Sequence, residues 1–119
     1  MYLWKYTENR NFPGVHLTAS PQSLSDLCCK LWKYGKCSVL LDNTTKEVSS
    51  VACERSAFRG FKRLKLEVTA VSSSREDGDD FLLDFSLDDL SSFENAICDY
   101  ADGLNDFSYR TEGVSIWFW

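Results

Sequence analysis

The sequence predicts an α+β fold: a two-layer sandwich in which a mainly antiparallel sheet of about five to seven strands carries two helices on one face. Three observations predict it. Runs with a two-residue apolar period, such as Leu64, Leu66, Val68 and Ala70, alternate with two runs of helical period. Each helical run opens on a serine that can cap it. Gly, Pro, Asn and Asp gather between the periodic runs, where turns require them. A chain of 119 residues fits one domain spanning 1–119. Its 44 % apolar and 14 % aromatic content supplies a packed core and lies far from a disordered composition.

Tyr2–Tyr6 reads as the first strand, with Tyr2, Trp4 and Tyr6 on one face and Leu3 and Lys5 on the other. A loop holding Pro13 and Gly14 leads to a short strand at Val15–Thr18. Ser20 then caps a helix that runs to Tyr34, with Pro21 at the first position, where its missing N–H costs nothing. Leu24, Leu27, Cys28 and Leu31 recur at the spacing of one buried face. Gly35 is a natural stop, and Lys30, Lys33 and Lys36 lie near the negative end of the helix dipole. Cys37–Leu41 is apolar enough for a central strand. After a turn at 42–45, Lys46–Cys53 reads as a returning strand. Val48, Val51 and Ala52 also fit a helix over Thr45–Phe58. Glu54–Gly60 reads as a loop.

Phe61–Val71 alternates from Leu64 onward and predicts a strand. Ser72–Asp80 reads as a turn, with Phe81–Ser86 returning antiparallel. Ser86 caps the second helix, and Asp89 three residues on is a capping-box-like partner. Leu90, Phe93, Ile97, Ala101 and Leu104 form its stripe, with Gly103 near its end. A short strand is expected at Phe107–Arg110. The last strand, Val114–Trp119, is apolar on both faces and is therefore central in the sheet or covered by a partner. The junctions HLTASPQSLSDL and LLDFSLDDL share a strand, a serine cap and Ser-Leu-x-Asp-Leu. An internal duplication would produce that likeness, though generic cap chemistry alone also does.

Charge excludes several function classes. Residues 1–75 hold 12 Lys/Arg and 6 Asp/Glu, whereas residues 76–119 hold 1 Lys/Arg and 12 Asp/Glu. Arg55, Arg59, Lys62, Arg63 and Lys65, with Phe58 and Phe61 interleaved, could meet phosphates and stacked bases. A chain of net charge −5 with so acidic a second half repels a polyanion, so no nucleic-acid partner is expected. No run approaches the roughly 20 apolar residues of a membrane span, and no membrane partner is expected. The N-terminus lacks the pattern of a signal peptide, which predicts a cytoplasmic protein. Cys28, Cys29, Cys37, Cys53 and Cys98 include no C-x-x-C pair and read as reduced, small apolar residues.

Catalytic and metal signatures are missing too. His16 is the single histidine, and no nucleophile motif accompanies it. Aligning Gly78 with the glycine of a calcium-binding loop puts Arg75 and Ser73 where carboxylates are required, so that match fails. No phosphate-binding glycine pattern occurs, and no cofactor is expected.

The acidic half is the most informative feature. Asp77, Asp79, Asp80, Asp84, Asp88, Asp89, Glu94, Asp99, Asp102 and Asp106 fall within thirty positions. They exceed what solubility and helix-end stabilisation require, because excess like charge opposes compaction. The first seven are the expected contact residues. The expectation is a non-enzymatic module that meets a basic protein, in the manner of an inhibitor or toxin-immunity protein covering a basic enzyme. Trp117 and Trp119 would serve as anchors. Two other classes stay open. One is a small enzyme pairing His16 with a cysteine. The other is a homodimer or larger homo-oligomer that associates through the aromatic C-terminal strand.

Overall fold

The structure, a computed structural model, describes residues 1–7, 14–42, 58–103, 108–111 and 114–118. The elements are β1 (Tyr2–Tyr6), β2 (Val15–Thr18), α1 (Pro21–Tyr34), β3 (Lys36–Leu40), β4 (Phe58–Gly60), β5 (Arg63–Val68), β6 (Ser73–Asp77), β7 (Asp80–Phe85), α2 (Leu87–Ala101), β8 (Ser108–Thr111) and β9 (Val114–Phe118). The α+β class holds. Its strands divide between a five-stranded sheet of order β4-β1-β2-β9-β8 and a four-stranded sheet of order β3-β5-β7-β6. The helices pack on each other, α1 against β3 and β5, and α2 against β7 and β8.

The local chemistry of both helices matches the sequence. Ser20 Oγ accepts from the Ser23 amide, Pro21 opens α1, and Gly35 closes it in the left-handed region. Leu24, Leu27, Cys28 and Leu31 are buried as expected. On α2, Leu90, Phe93 and Ile97 are buried, but Ala101 is exposed. These stripes join Leu3 and Leu17, Leu64 and Leu66, Leu83 and Phe85, and Ile116 and Phe118 in one core.

Several elements differ from the expectation. The expected turn at Ser72–Asp80 is mostly the strand β6, whose five residues are all exposed. It forms a hairpin with β7, which lies parallel to β5 rather than antiparallel. The chain therefore hops from β5 over the end of β7 before turning back. Cys37–Leu41 was expected to be central, yet among the described residues β3 pairs with β5 alone and forms an edge. The end of the expected loop at Glu54–Gly60 is β4, paired with β1. It joins the two sheets at a corner. The Phe61 amide still bonds to the Leu3 carbonyl (2.9 Å), and the next amide, Lys62, bonds to the Asp79 carbonyl (2.8 Å). The alternatives at Lys46–Cys53, and Leu104, lie outside the described residues.

The pairing pattern has a two-fold internal symmetry. In the five-stranded sheet, β2 lies antiparallel to β1 and parallel to β9, which is antiparallel to β8. In the four-stranded sheet, β7 lies antiparallel to β6 and parallel to β5, which is antiparallel to β3. The unit β1-β2-α1-β3-β5 thus corresponds to β6-β7-α2-β8-β9, with β4 additional. Each sheet takes a hairpin from one unit and a returning pair from the other. Buried positions correspond as well: Val15 and Leu17 with Phe81 and Leu83, and Leu24, Leu27 and Leu31 with Leu90, Phe93 and Ile97. The caps Ser20 and Ser86 occupy equivalent places, but the shared Ser-Leu-x-Asp-Leu does not, since it begins at Ser23 within α1 and at the cap Ser86 of α2.

Gly14 lets β2 approach β9. Its φ is +90°, and an added Cβ would lie 2.4 Å from the Ser115 carbonyl oxygen. Gly14→Ala is expected to destabilise the fold by about 2 kcal/mol or more, combining left-handed strain with a backbone clash. Gly35→Ala, where an added Cβ meets open space, should cost less when the two variants are compared by urea unfolding.

Candidate functional site

The charges that separate along the chain meet in space at the β6–β7 hairpin, turned by Gly78 in the left-handed region. Glu76 pairs with Lys5 (2.5 Å) and Arg59 (2.7 Å), and Arg59 also donates to the Gly78 carbonyl. Lys62 pairs with Asp79 (3.5 Å) and Lys65 with Asp80 (3.3 Å). Arg59, Lys62 and Lys65 of the basic stretch are thus turned toward the protein's own acidic hairpin. Lys62 and Asp79 are well exposed, so that pair adds little stability.

The predicted carboxylates separate into two groups. Asp77, Asp79 and Asp80 sit at the hairpin, with Asp77 exposed and without an ion pair among the described residues. Asp88 and Asp89 lie beyond the other end of β7, roughly 17–20 Å away at strand rise per residue. Between them, Asp84 accepts from the Ser73 hydroxyl (3.3 Å). Its strand face lines an open groove of about 370 Å³ shared with Lys36, Lys65, Glu67, Arg75 and Leu82. Cations and carboxylates mix there, so the groove has no single sign.

Asp89 is turned to structural work. The Ser86 amide bonds to Ser72 Oγ (2.9 Å), and Ser72 in turn donates to the Asp89 carboxylate. The expected capping box is therefore closed through a hydroxyl relay rather than directly. Thr111 Oγ1 also donates to Asp89 (3.3 Å), and the Tyr109 hydroxyl donates to the Asp89 carbonyl (3.0 Å). The Ser72 bond above all, then those of Ser86 and Thr111, holds the Asp89 carboxyl below its usual range against partial burial. Glu94 accepts from the Trp32 indole (3.0 Å) and ties α2 to α1.

The other face of α2 is different. Asp88 and Asp102 are exposed and Asp99 is half-buried, and none makes an ion pair among the described residues. Asp99 lies in the last turn and Asp102 is the C-cap, with no basic residue in that turn. At the start of α2, Leu87 is 58 % exposed, and Val71, in the loop beside its cap, is 76 % exposed. Asp99 and Asp102 belong to the acidic run read from the sequence but not to its expected contact residues, and Leu87 and Val71 belong to neither. A signal for the two carboxylates was present, since both lie off the apolar stripe at the end of a helix that disfavours negative charge.

His16 is fully buried on β2. Its ring stacks on Trp4 (4.2 Å) and more loosely on Trp117 (6.1 Å), with Tyr6 edge-on (5.2 Å). Burial pushes its pKa down to about 4, so it is neutral at pH 7. Burial also pushes the Cys28 thiol up to about 12, with Glu94, Cys29 and Cys98 adding to the shift. Such a thiol is a poor nucleophile. Trp117 is half-buried in the His16 cluster, and Trp119 lies outside the described residues.

No family model, curated protein or solved structure matches this chain. Among the described residues, no group of three or more His, Cys, Asp or Glu is placed to hold a metal ion. No helix among them is long and apolar enough to cross a membrane.

Proposed function

We propose that this chain is a non-catalytic protein-binding module whose α2 face covers a basic partner, with the character of an inhibitor or immunity protein. One observation carries the reading. Asp99 and Asp102 stand at the negative end of the α2 dipole, with no basic residue in that last turn and no ion pair among the described residues. Carboxylates there cost the helix about 0.3–1 kcal/mol each and stabilise nothing within the described residues. A basic surface docked on α2 would reverse that cost. Asp88 extends the acidic face to the start of the helix, where Leu87 and Val71 offer apolar contact beside the charge. The free thiols Cys28, Cys29, Cys37 and Cys98 suit a reducing, cytoplasmic setting.

The test uses two neutralised variants of the full chain, D88N/D99N/D102N on α2 and D77N/D79N at the hairpin. Asp80 and Asp89 stay in place because they hold the fold. Both variants should fold, and the α2 variant should melt slightly higher than the parent. A basic partner captured from source lysate at low salt should bind the α2 variant at least about tenfold more weakly, a loss of about 1.4 kcal/mol. The hairpin variant should retain it. Unchanged binding by the α2 variant would reject the proposed surface.

A further inference from the structure

The outer edge of β3 has the features of a pairing surface. The Val68 amide bonds to the Gly35 carbonyl (2.8 Å) and the Leu41 amide to the Lys62 carbonyl (2.9 Å). Antiparallel alternation then directs the backbone of Cys37 and Val39 toward β5. It leaves the N–H and C=O groups of Lys36, Ser38 and Leu40 pointing to the open edge. Among the described residues no strand pairs with that edge. Natural edges are blunted by proline, bulges or several charges, whereas β3 has only Lys36 and leaves Leu40 75 % exposed.

We propose that β3 pairs antiparallel with β3 of a second copy of this chain, with Ser38 on the two-fold axis. The strand is self-complementary in this register. Lys36 lies opposite Leu40 of the second copy, and Cys37 lies opposite its Val39. The half-buried side chains thus meet as apolar pairs, and the lysine stem covers the exposed leucine. Parallel pairing in register would set Lys36 against Lys36, and like charges directly opposite are destabilising. The four-stranded sheet becomes a continuous sheet across the axis. The isologous contact closes at two copies. C-terminal association is a different matter, since β9 is paired on both edges by β2 and β8 and has no strand edge to offer.

A five-residue edge buries much less than the roughly 1,600 Å² of a standard interface, so the dimer is weak and concentration-dependent. Sedimentation equilibrium of the full chain up to about 1 mM, where weak association becomes measurable, tests it. The parent should move toward the dimer mass. L40K places a lysine opposite Lys36 twice per dimer and should raise the dissociation constant at least about tenfold. L40E places a carboxylate opposite Lys36 and should associate as tightly as the parent or more tightly. A parent that stays monomeric throughout would overturn the proposal. So would equal weakening by L40K and L40E, which would mean non-specific contact through the leucine. No α2 residue is altered, so either result is separate from the partner-binding reading.

Discussion

Replacing Phe85 by alanine is expected to cost about 3–5 kcal/mol. Phe85 is fully buried at the end of β7, stacked on Phe93 (4.9 Å) and met edge-on by Tyr109 (6.3 Å). It therefore joins the four-stranded sheet to α2 and to β8 of the other sheet. The surrounding helix and strands are fixed by their own pairings and cannot collapse into the space. Against a typical total stability of about 5–15 kcal/mol, most or all of the folded population is at risk. Leu82, three residues earlier and only partly buried on the outer face, should tolerate alanine with a loss of about 1 kcal/mol or less. Urea unfolding followed by circular dichroism separates the two. Equal losses would mean that the core does not sit between the sheets and α2.

Acid should unfold the protein earlier than its carboxylates alone predict. His16 has a folded pKa of about 4 against 6.5 when unfolded. The unfolded state therefore binds the extra proton as pH falls below 6.5, and stability declines until the folded pKa is reached. Above pH 6.5 this contribution is complete. By pH 4 the loss reaches up to about 3 kcal/mol. Phenylalanine retains the aromatic stack without the titration, so His16→Phe should remove this slope while leaving the carboxylate transition at lower pH. Parallel slopes for parent and variant between pH 6.5 and 4.5 would contradict the buried, neutral histidine.

Which parts of this structure were legible depended on whether the signal was local. Ser20, Pro21 and Gly35 mark α1 through bonds within one turn, and the Leu24 to Leu31 spacing marks its buried face. The strands β1, β2 and β5 show themselves through side chains that alternate between environments. In contrast, β6 reads as a turn because Ser73, Ser74, Arg75, Glu76 and Asp77 are all exposed, and a strand without a buried face has no alternation. The apolar content of β3 suggests a central position, but side-chain character does not count neighbouring strands. The parallel pairing of β5 with β7 depends on a crossover that the short connection conceals. The repeated topology lies in pairings between distant strands, β2 with β9 and β5 with β7, whereas the local likeness is confined to the helix starts.

The candidate site follows the same rule. The acidic excess is visible in composition, but sheet register decides which carboxylates are matched. Asp79 and Asp80 are met by Lys62 and Lys65 across the corner between β4 and β5. Asp89 is drawn inward by Ser72 and Thr111, which are distant in sequence. Asp88, Asp99 and Asp102 are left facing outward on a helix with no Lys or Arg of its own. Burial of His16 was not readable either, because it requires Trp4 and Trp117 from strands at opposite ends of the chain.

The most direct test of the α2 face is site-specific photocrosslinking. A photoreactive phenylalanine analogue is placed at Asn95, exposed midway along α2, and in a second protein at Lys62, exposed beside the hairpin. Each is mixed with the captured basic partner at low and at moderate salt. The account predicts a crosslinked complex from position 95 that fades as salt rises, and little or none from position 62. Crosslinking from position 62 alone, or from both positions irrespective of salt, would contradict an acidic α2 face as the partner-binding surface.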